Sequence, residues 1–258
     1  MEQKETIKNR KGQGVVVLIQ KAEAQKGLAF VMHGLGGFKE QPHIKIMAGA
    51  FYENGYTAVS FDTTNTFGES GGDYSDATIT NYYEDLEDVI QWAESQDWFE
   101  KPFALAGHSL GGICTALFAE KYSEKVKALA PISTVVSGKL SMETKYERGI
   151  AEGWKRTGWL EEKSFSLPGI IKRLKWSHME DRMKYDLLPM VKKLTMPVLL
   201  IVGERDQSTP LKHQKILFAA LPGQKELHVI NGSGHTFRKE EHLAELKKIF
   251  DSWIKTIG

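Results

Sequence analysis

The pattern G-x-S-x-G occurs twice in this chain, as Gly68-Glu69-Ser70-Gly71-Gly72 and as Gly107-His108-Ser109-Leu110-Gly111. It carries chemistry only where a strand ends in a sharp turn and runs straight into a helix. The hydroxyl then stands clear of the backbone beside the positive end of the helix. Ser70 follows "DTTNT" and precedes "GDYSDAT", a polar loop with no helix behind it. Ser109 follows "PFALAG" and precedes "ICTALFAEKY", whose apolar residues recur at helical spacing. Ser109 is the candidate nucleophile.

A serine hydroxyl is a weak nucleophile at neutral pH. It needs a general base, and the base needs an orienting carboxylate. In a parallel sheet both belong on loops at the carboxyl ends of later strands, in the chain order serine, acid, histidine. The loop after "PVLLIVG" reads "ERDQSTP" and offers Glu204 and Asp206. The loop after "KELHVI" reads "NGSGHTF" and offers His235. Asp206 is preferred because it lies further past the strand end, with Glu204 as the fallback. Acyl transfer also places negative charge on a carbonyl oxygen, which backbone N–H groups stabilise by roughly 3 kcal/mol per donor. The expected donors are the N–H of Leu110, next to the serine, and that of Leu35 in the glycine-rich "HGLGGF".

The elements that must hold these residues are legible as an alternation. Apolar runs at 14–20, 27–33, 56–62, 101–107, 126–133, 196–203 and 225–230 read as strands, the first two joined by a polar turn. Most are continuous rather than alternating, as strands covered on both faces are. Helical spacing appears over about 40–54, 78–96, 110–122, 211–221 and 239–256. Alternating strands and helices predict an α/β fold, an open parallel sheet with helices on both faces. Residues 137–193 break the rhythm. They show no apolar β run, read as helical, and hold Trp154, Trp159 and Trp176. We expect a core domain of residues 1–136 and 194–258, with 137–193 a helical cap over the carboxyl edge of the sheet.

The chain has 258 residues, 41% hydrophobic and 26% charged, enough for a large core. Its formal net charge of +1 gives no support for nucleic acid or an anionic membrane as the main partner. One cysteine, Cys114, precludes an intrachain disulfide. The N-terminal residues lack the charged start and apolar stretch of a signal peptide, and no apolar run approaches the roughly 20 residues of a membrane span. The expectation is a cytoplasmic protein. No His or Cys pair has zinc spacing and no phosphate loop or dinucleotide fingerprint follows a strand, so no metal and no cofactor is expected.

Taken in order, "HGLGG", the "GESGGD" loop, "GHSLGG", "VGERDQSTP" and "GSGH" resemble the α/β-hydrolase superfamily over about residues 15–255. The resemblance implies a mostly parallel eight-stranded sheet with one antiparallel strand near the N-terminus. Within the superfamily the chain is most similar to small bacterial carboxylesterases of the cinnamoyl- and feruloyl-esterase type. Monoacylglycerol lipases and serine aminopeptidase S33-type hydrolases are similar too. The family often carries Gly-aromatic-Gly-x-Ser-x-Gly after the fourth strand; here Thr66 replaces the first glycine.

These residues together predict a serine carboxylesterase acting on a small-molecule ester through an acyl-enzyme, in a monomer or homodimer. A peptidase or amidase is the competing enzyme reading, with Glu152, Glu161 and Glu162 as an acidic site for a charged terminus or as an exposed helix face. A binding protein that has lost catalysis is the reading from another class. The tryptophans of 137–193 hint at an apolar or aromatic substrate group. The remaining candidates are read structurally: Cys114 as a buried thiol, His108 as packed against the neighbouring turn, His33 as a brace for the glycine loop, and His178 as a surface residue of the cap, with contact to substrate as the alternative.

Overall fold

The apolar runs assemble into one sheet in the computed structural model, which describes residues 2–164 and 167–257. The first elements are β1 (Glu2–Lys8), β2 (Gly14–Gln20), β3 (Gly27–Met32), α1 (Pro42–Glu53), β4 (Tyr56–Phe61) and α2 (Ile79–Ala93). There follow β5 (Phe103–His108), α3 (Leu110–Lys121), β6 (Val126–Ile132), α4 (Gly138–Glu147), α5 (Ala151–Thr157) and β7 (Trp159–Lys163). The chain continues through β8 (Ile171–Lys175), α6 (Ser177–Arg182), β9 (Val198–Gly203), α7 (Leu211–Ala220), β10 (Lys225–Ile230) and α8 (Glu240–Ile254).

Eight strands pair in the order β1-β2-β4-β3-β5-β6-β9-β10. β2 runs antiparallel to both neighbours, and every other pairing is parallel. β2 and β3 are therefore consecutive in sequence but not paired, because β4 inserts between them. All residues of β3, β4, β5 and β9 are buried, as their largely apolar sequences suggest. β1, "EQKETIK", gives no apolar signal because it is an edge strand in which only Ile7 is buried. Its charged residues discourage pairing with another chain.

Side chains alternate between two cores. Leu28, Phe30 and Met32 of β3 join Tyr82, Leu86 and Val89 of α2 and Ile113 of α3 on one face. Ala29 and Val31 meet Met47 and Phe51 of α1 and Phe250 and Trp253 of α8 on the other. Burying one such aromatic contributes about 2–3 kcal/mol. The two small residues of β3 on the α1/α8 side leave room for those large rings.

The chain goes from β3 to β4 on one side and returns to β5 on the other. Such a switch point opens a crevice at the carboxyl ends of the strands. Met32 is in register with Gly107, so the loops after β3 and β5 leave the sheet side by side.

Residues 137–193 hold helices α4, α5 and α6, and also a hairpin that the sequence did not suggest. β7 and β8 pair antiparallel, placing Glu161 opposite Arg173 and Glu162 opposite Lys172. The strands "WLEEK" and "IKRLK" are mostly charged, none of their residues but Leu174 is buried, and half are exposed. Cross-strand ion pairs (Arg173–Glu161 at 2.9 Å) stand where an apolar alternation would have been readable. Trp154 is buried beneath the hairpin, its Nε1–H donating to Leu174 O at 3.1 Å. α6 is latched to the start of α2, where Asp181 accepts from the N–H (3.0 Å) and hydroxyl (2.6 Å) of Thr80. His178 is buried in this latch rather than at the surface, donating from Nδ1 to Ala77 O at 2.7 Å. Burial, with Arg182 beside it, holds its imidazole well below the usual value and hence neutral. No helix among the described residues is long and apolar enough to cross a membrane.

Candidate active site

Ser109 occupies the single residue between the end of β5 and the start of α3, with φ 55° and ψ −110°. A non-glycine residue held there stores about 1–3 kcal/mol of strain. The turn holds because the Ser109 N–H donates to Ile132 O at 3.0 Å, and its carbonyl accepts from Gly112 at 3.1 Å and Val135 at 3.2 Å. The glycines answer to close approach. A Cβ on Gly107 would meet the carbonyl of Gly111, and one on Gly111 would meet the carbonyl of His33. Strand and helix can cross this tightly only without those side chains.

The structure brings Ser109, His235 and Asp206 together. His235 Nε2 lies 2.9 Å from Ser109 Oγ, and His235 Nδ1 lies 2.8 Å from Asp206 Oδ2. Asp206 Oδ1 accepts from the N–H groups of Ser208 (2.8 Å) and Thr209 (3.0 Å). Burial works to raise the Asp206 carboxyl, but the charge and hydrogen bond of His235, with those two amides, outweigh it and hold the group below the usual carboxylate range. An ionised Asp206 keeps the imidazole proton on Nδ1 and leaves Nε2 to accept from the serine hydroxyl. Glu204 faces elsewhere: its carboxylate accepts from Gly232 N–H at 2.8 Å and ties together the loops after β9 and β10.

His108 does more than pack. Its Nε2–H donates to the carbonyl of His235 at 2.8 Å, anchoring the loop that carries the imidazole. Burial, then His43 and His235, hold His108 well below its usual pKa, so it serves as a neutral donor. Its ring lies 4.4 Å from that of His43, which burial pushes down to about 3.

Leu35 lies in the loop after β3 and Leu110 is the first residue of α3. Among the described residues neither N–H meets a backbone acceptor. The loop is braced from below. His33 is buried, donates from Nδ1 to Gly34 O (2.8 Å) and accepts at Nε2 from Thr63 N–H (3.0 Å). Lys39 is buried with Asp62, its Nζ 2.8 Å from that carboxylate and 2.6 Å from Glu69. Thr66, where the family pattern has glycine, donates its hydroxyl to Gly37 O in the same loop. Ser70, of the second G-x-S-x-G, accepts from Val16 N–H (2.8 Å) and donates to Asp62 O (2.7 Å). It is a structural clip. Cys114 is buried, and burial raises its thiol well above the usual value.

Ser109 and His235 open into a cavity of about 730 Å³. Leu35, Gly34 and Gly36 form part of its wall. Lys145, Arg148, Lys163 and Lys172 line it from the 137–193 segment. Arg205, Arg238 and Lys239 line it from the loops after β9 and β10. Glu162 is the one carboxylate among the described lining residues. The tryptophans of the segment are not part of this wall: Trp154 is buried against Trp176, and Trp159 packs under Arg173. The tryptophans thus add no apolar surface to the lining, where Leu35 and Phe237 are the apolar side chains among the described residues, and no sequence pattern pointed to the cations. They come from regions nearly 100 residues apart that only the fold unites. No three His, Cys, Asp or Glu side chains among the described residues gather as a metal site would require.

The model of the X-Pro dipeptidyl-peptidase (S15) family matches residues 8–167, and that of the PhoPQ-activated pathogenicity-related proteins matches residues 88–257. An uncharacterized 31.7 kDa protein of the traX-finO intergenic region of Escherichia coli is 25% identical over 232 residues, 78% of this chain and 80% of that protein. The mitochondrial palmitoyl-protein thioesterase ABHD10 of Bos taurus is 25% identical over 212 residues, 79% of this chain and 65% of that protein. Among solved structures, Est1E from Butyrivibrio proteoclasticus with bound ferulic acid superposes with a TM-score of 0.80 at 21% identity, covering 98% of each chain.

Proposed function

The chain belongs to the α/β-hydrolase superfamily and is a hydrolase-type enzyme, and we propose that it is a serine esterase that cleaves carboxylic esters through an acyl-enzyme. The observation that carries this reading is the relay from Asp206 through His235 to Ser109, with contacts of 2.8 and 2.9 Å, opening into the cavity. His235 Nε2 takes the Ser109 proton as Oγ bonds to the ester carbonyl carbon. The carbonyl oxygen becomes an alkoxide held by the N–H groups of Leu35 and Leu110. The alkoxide collapses, the C–O bond to the alcohol breaks, and His235 hands its proton to the leaving oxygen. Water, deprotonated by the same Nε2, then attacks the acyl-serine. Ser109 leaves with the proton, and the acid is released. Asp206 balances the imidazolium at each stage.

Residues 137–193 act as the cap of this site, and residues 1–136 with 194–258 as the catalytic domain. The placement of Lys145, Arg148 and Lys163 along the cavity supports that division. Est1E binds ferulic acid and bovine ABHD10 is a palmitoyl-protein thioesterase; an ester or a thioester carbonyl would meet the same relay. The S15 match favours a second reading, a peptidase recognising a substrate's amino terminus. The lining weighs against it, since an ammonium group would face seven cationic side chains and, among the described residues, only Glu162 in support. Glu161 pairs with Arg173 on the hairpin and Glu152 is exposed, so neither supplies an acidic pocket.

The test is hydrolysis of 4-nitrophenyl hexanoate together with labelling by a fluorophosphonate probe. The folded protein should do both. Ser109→Ala should lose labelling and about 10⁴-fold or more in kcat. A folded protein that neither labels nor hydrolyses any ester of a panel is a binding protein, and the esterase reading fails.

A further inference from the structure

We infer that the substrate of this site carries an anionic oxyacid group, a carboxylate or phosphate, on the part that lies between the 137–193 segment and the loops after β9 and β10. This deepens the esterase reading and rests on it for the hydrolytic step.

The observation is a concentration of charge that the chain as a whole does not have. The formal net charge is +1 over 258 residues, yet among the described residues one cavity collects seven lysines and arginines against one glutamate. They come from separate elements. Lys145 and Arg148 close α4, Lys163 and Lys172 stand on the hairpin, and Arg205, Arg238 and Lys239 stand on two core loops. Two of these lysines have a described carboxylate partner. Lys172 is 3.9 Å from Glu162, and Lys239 is 3.3 Å from Glu241. The cations of α4 and the hairpin crowd one another. Burial lowers Lys145 to about 8; Glu162 opposes this, while Arg182, Arg148 and Lys172 push further down. Like charges held this close repel one another, and an anion between them offsets that repulsion.

An uncharged ester makes no charge pairing with this wall in its ground state, and a cationic one is repelled by it. The long stems of lysine and arginine also give the cavity apolar sides along which an acyl chain can lie. An ester that ends in a carboxylate or phosphate uses both features. The positive wall also favours the alkoxide formed at Ser109, so the same charges serve binding and the reaction's developing negative charge.

The test compares matched substrates, 4-nitrophenyl hydrogen adipate and 4-nitrophenyl hexanoate, which differ by a terminal carboxylate. At low ionic strength kcat/KM should favour the adipate at least tenfold, after correction for spontaneous hydrolysis. The preference should shrink severalfold in 0.5 M salt, where the Debye length falls to a few ångströms. In Arg148→Glu/Lys163→Glu, both exposed positions, it should vanish or invert. Equal kcat/KM for the pair, or a preference indifferent to salt, overturns the inference and leaves the esterase reading standing.

Binding separates the two claims further. Ser109→Ala protein is titrated calorimetrically with the anilide of adipic acid, the neutral anilide of hexanoic acid, and the anilide of 5-phosphonopentanoic acid. The acids should bind at least tenfold more tightly than the neutral anilide. Which of the two binds better tells carboxylate from phosphate. Tight binding of the acids with no hydrolysis of any ester would refute the esterase reading and uphold this one; equal binding of all three refutes this one whatever the catalysis.

Discussion

Replacing Asp206 by Asn exchanges one carboxylate oxygen for an NH₂ group, and the surrounding donors decide which one. Oδ1 accepts from two backbone N–H groups, Ser208 at 2.8 Å and Thr209 at 3.0 Å, that cannot turn away. The asparagine must therefore keep its oxygen there and present its NH₂ to His235 Nδ1, now 2.8 Å from Oδ2. An NH₂ donor facing Nδ1 forces the imidazole proton to Nε2. That nitrogen then points an N–H at Ser109 Oγ and can no longer take its proton. A triad locked in this tautomer loses about 10⁴-fold in kcat, or about 5 kcal/mol at about 1.4 kcal/mol per decade. The assay is kcat on 4-nitrophenyl hexanoate at pH 7.5, with melting curves at pH 7 and pH 3. The folded Asp206 pKa is depressed, so its charge stabilises the protein above the unfolded value of about 3.9, and that contribution is lost as pH falls. The variant's deficit in melting temperature should therefore be larger at pH 7 than at pH 3. Glu204→Gln is the control: its side-chain oxygen can still accept from Gly232, and kcat should stay within about twofold. Retention of kcat within tenfold in Asp206→Asn, or a larger loss in Glu204→Gln, refutes the reasoning.

Ser70→Ala leaves Val16 N–H without its side-chain acceptor and should cost about 1–2 kcal/mol in urea unfolding while hydrolysis stays within twofold. His108→Phe keeps a ring between His43 and Phe237 but removes the donor to His235 O; kcat should fall about tenfold with KM little changed, about 1.4 kcal/mol. Glu120 is buried with Oε1 unpartnered, and burial, with Asp186 nearby, raises its carboxyl to about 8. The folded form thus holds a proton that the unfolded chain has released above about 4.3, so this group's stabilisation is complete below that value and lost by about pH 8. Glu120→Gln should flatten the pH dependence of melting across that window and raise the melting temperature at pH 8.5 by several °C, roughly.

The sheet was legible because its central strands are buried on both faces and so spell out unbroken apolar runs. β1 escaped the reading for the opposite reason: with only Ile7 buried, an edge strand has no pattern to show, and it lies outside residues 15–255, which carry the family resemblance. The hairpin of β7 and β8 escaped because ion pairs, not apolar pairs, line its exposed faces. At the site, chain order and loop position singled out Ser109, Asp206 and His235, whose side chains the fold brings into contact. Choosing Asp206 over Glu204 needed only the geometry of a loop leaving a strand end. His108 was harder. Its role depends on which carbonyl its Nε2 reaches, and that carbonyl lies 127 residues away.

The cavity's charge shows why a sum over the sequence can mislead about recognition. A net charge of +1 weakens the case for a protein that coats nucleic acid or membrane, because those ligands sample a wide surface. A small substrate samples one cleft, where the field depends on which side chains the fold gathers. Elsewhere on this chain lysines pair with acids along helices and edges, as Lys121 does with Glu87 and Lys212 with Glu147. Seven cations stand at the cavity because α4, the hairpin and two core loops each bring theirs to the same place, with a single carboxylate among the described lining residues. Low-dielectric walls focus that field on the opening above Ser109, so ionic strength should act on substrate capture here far more than on the stability of the fold.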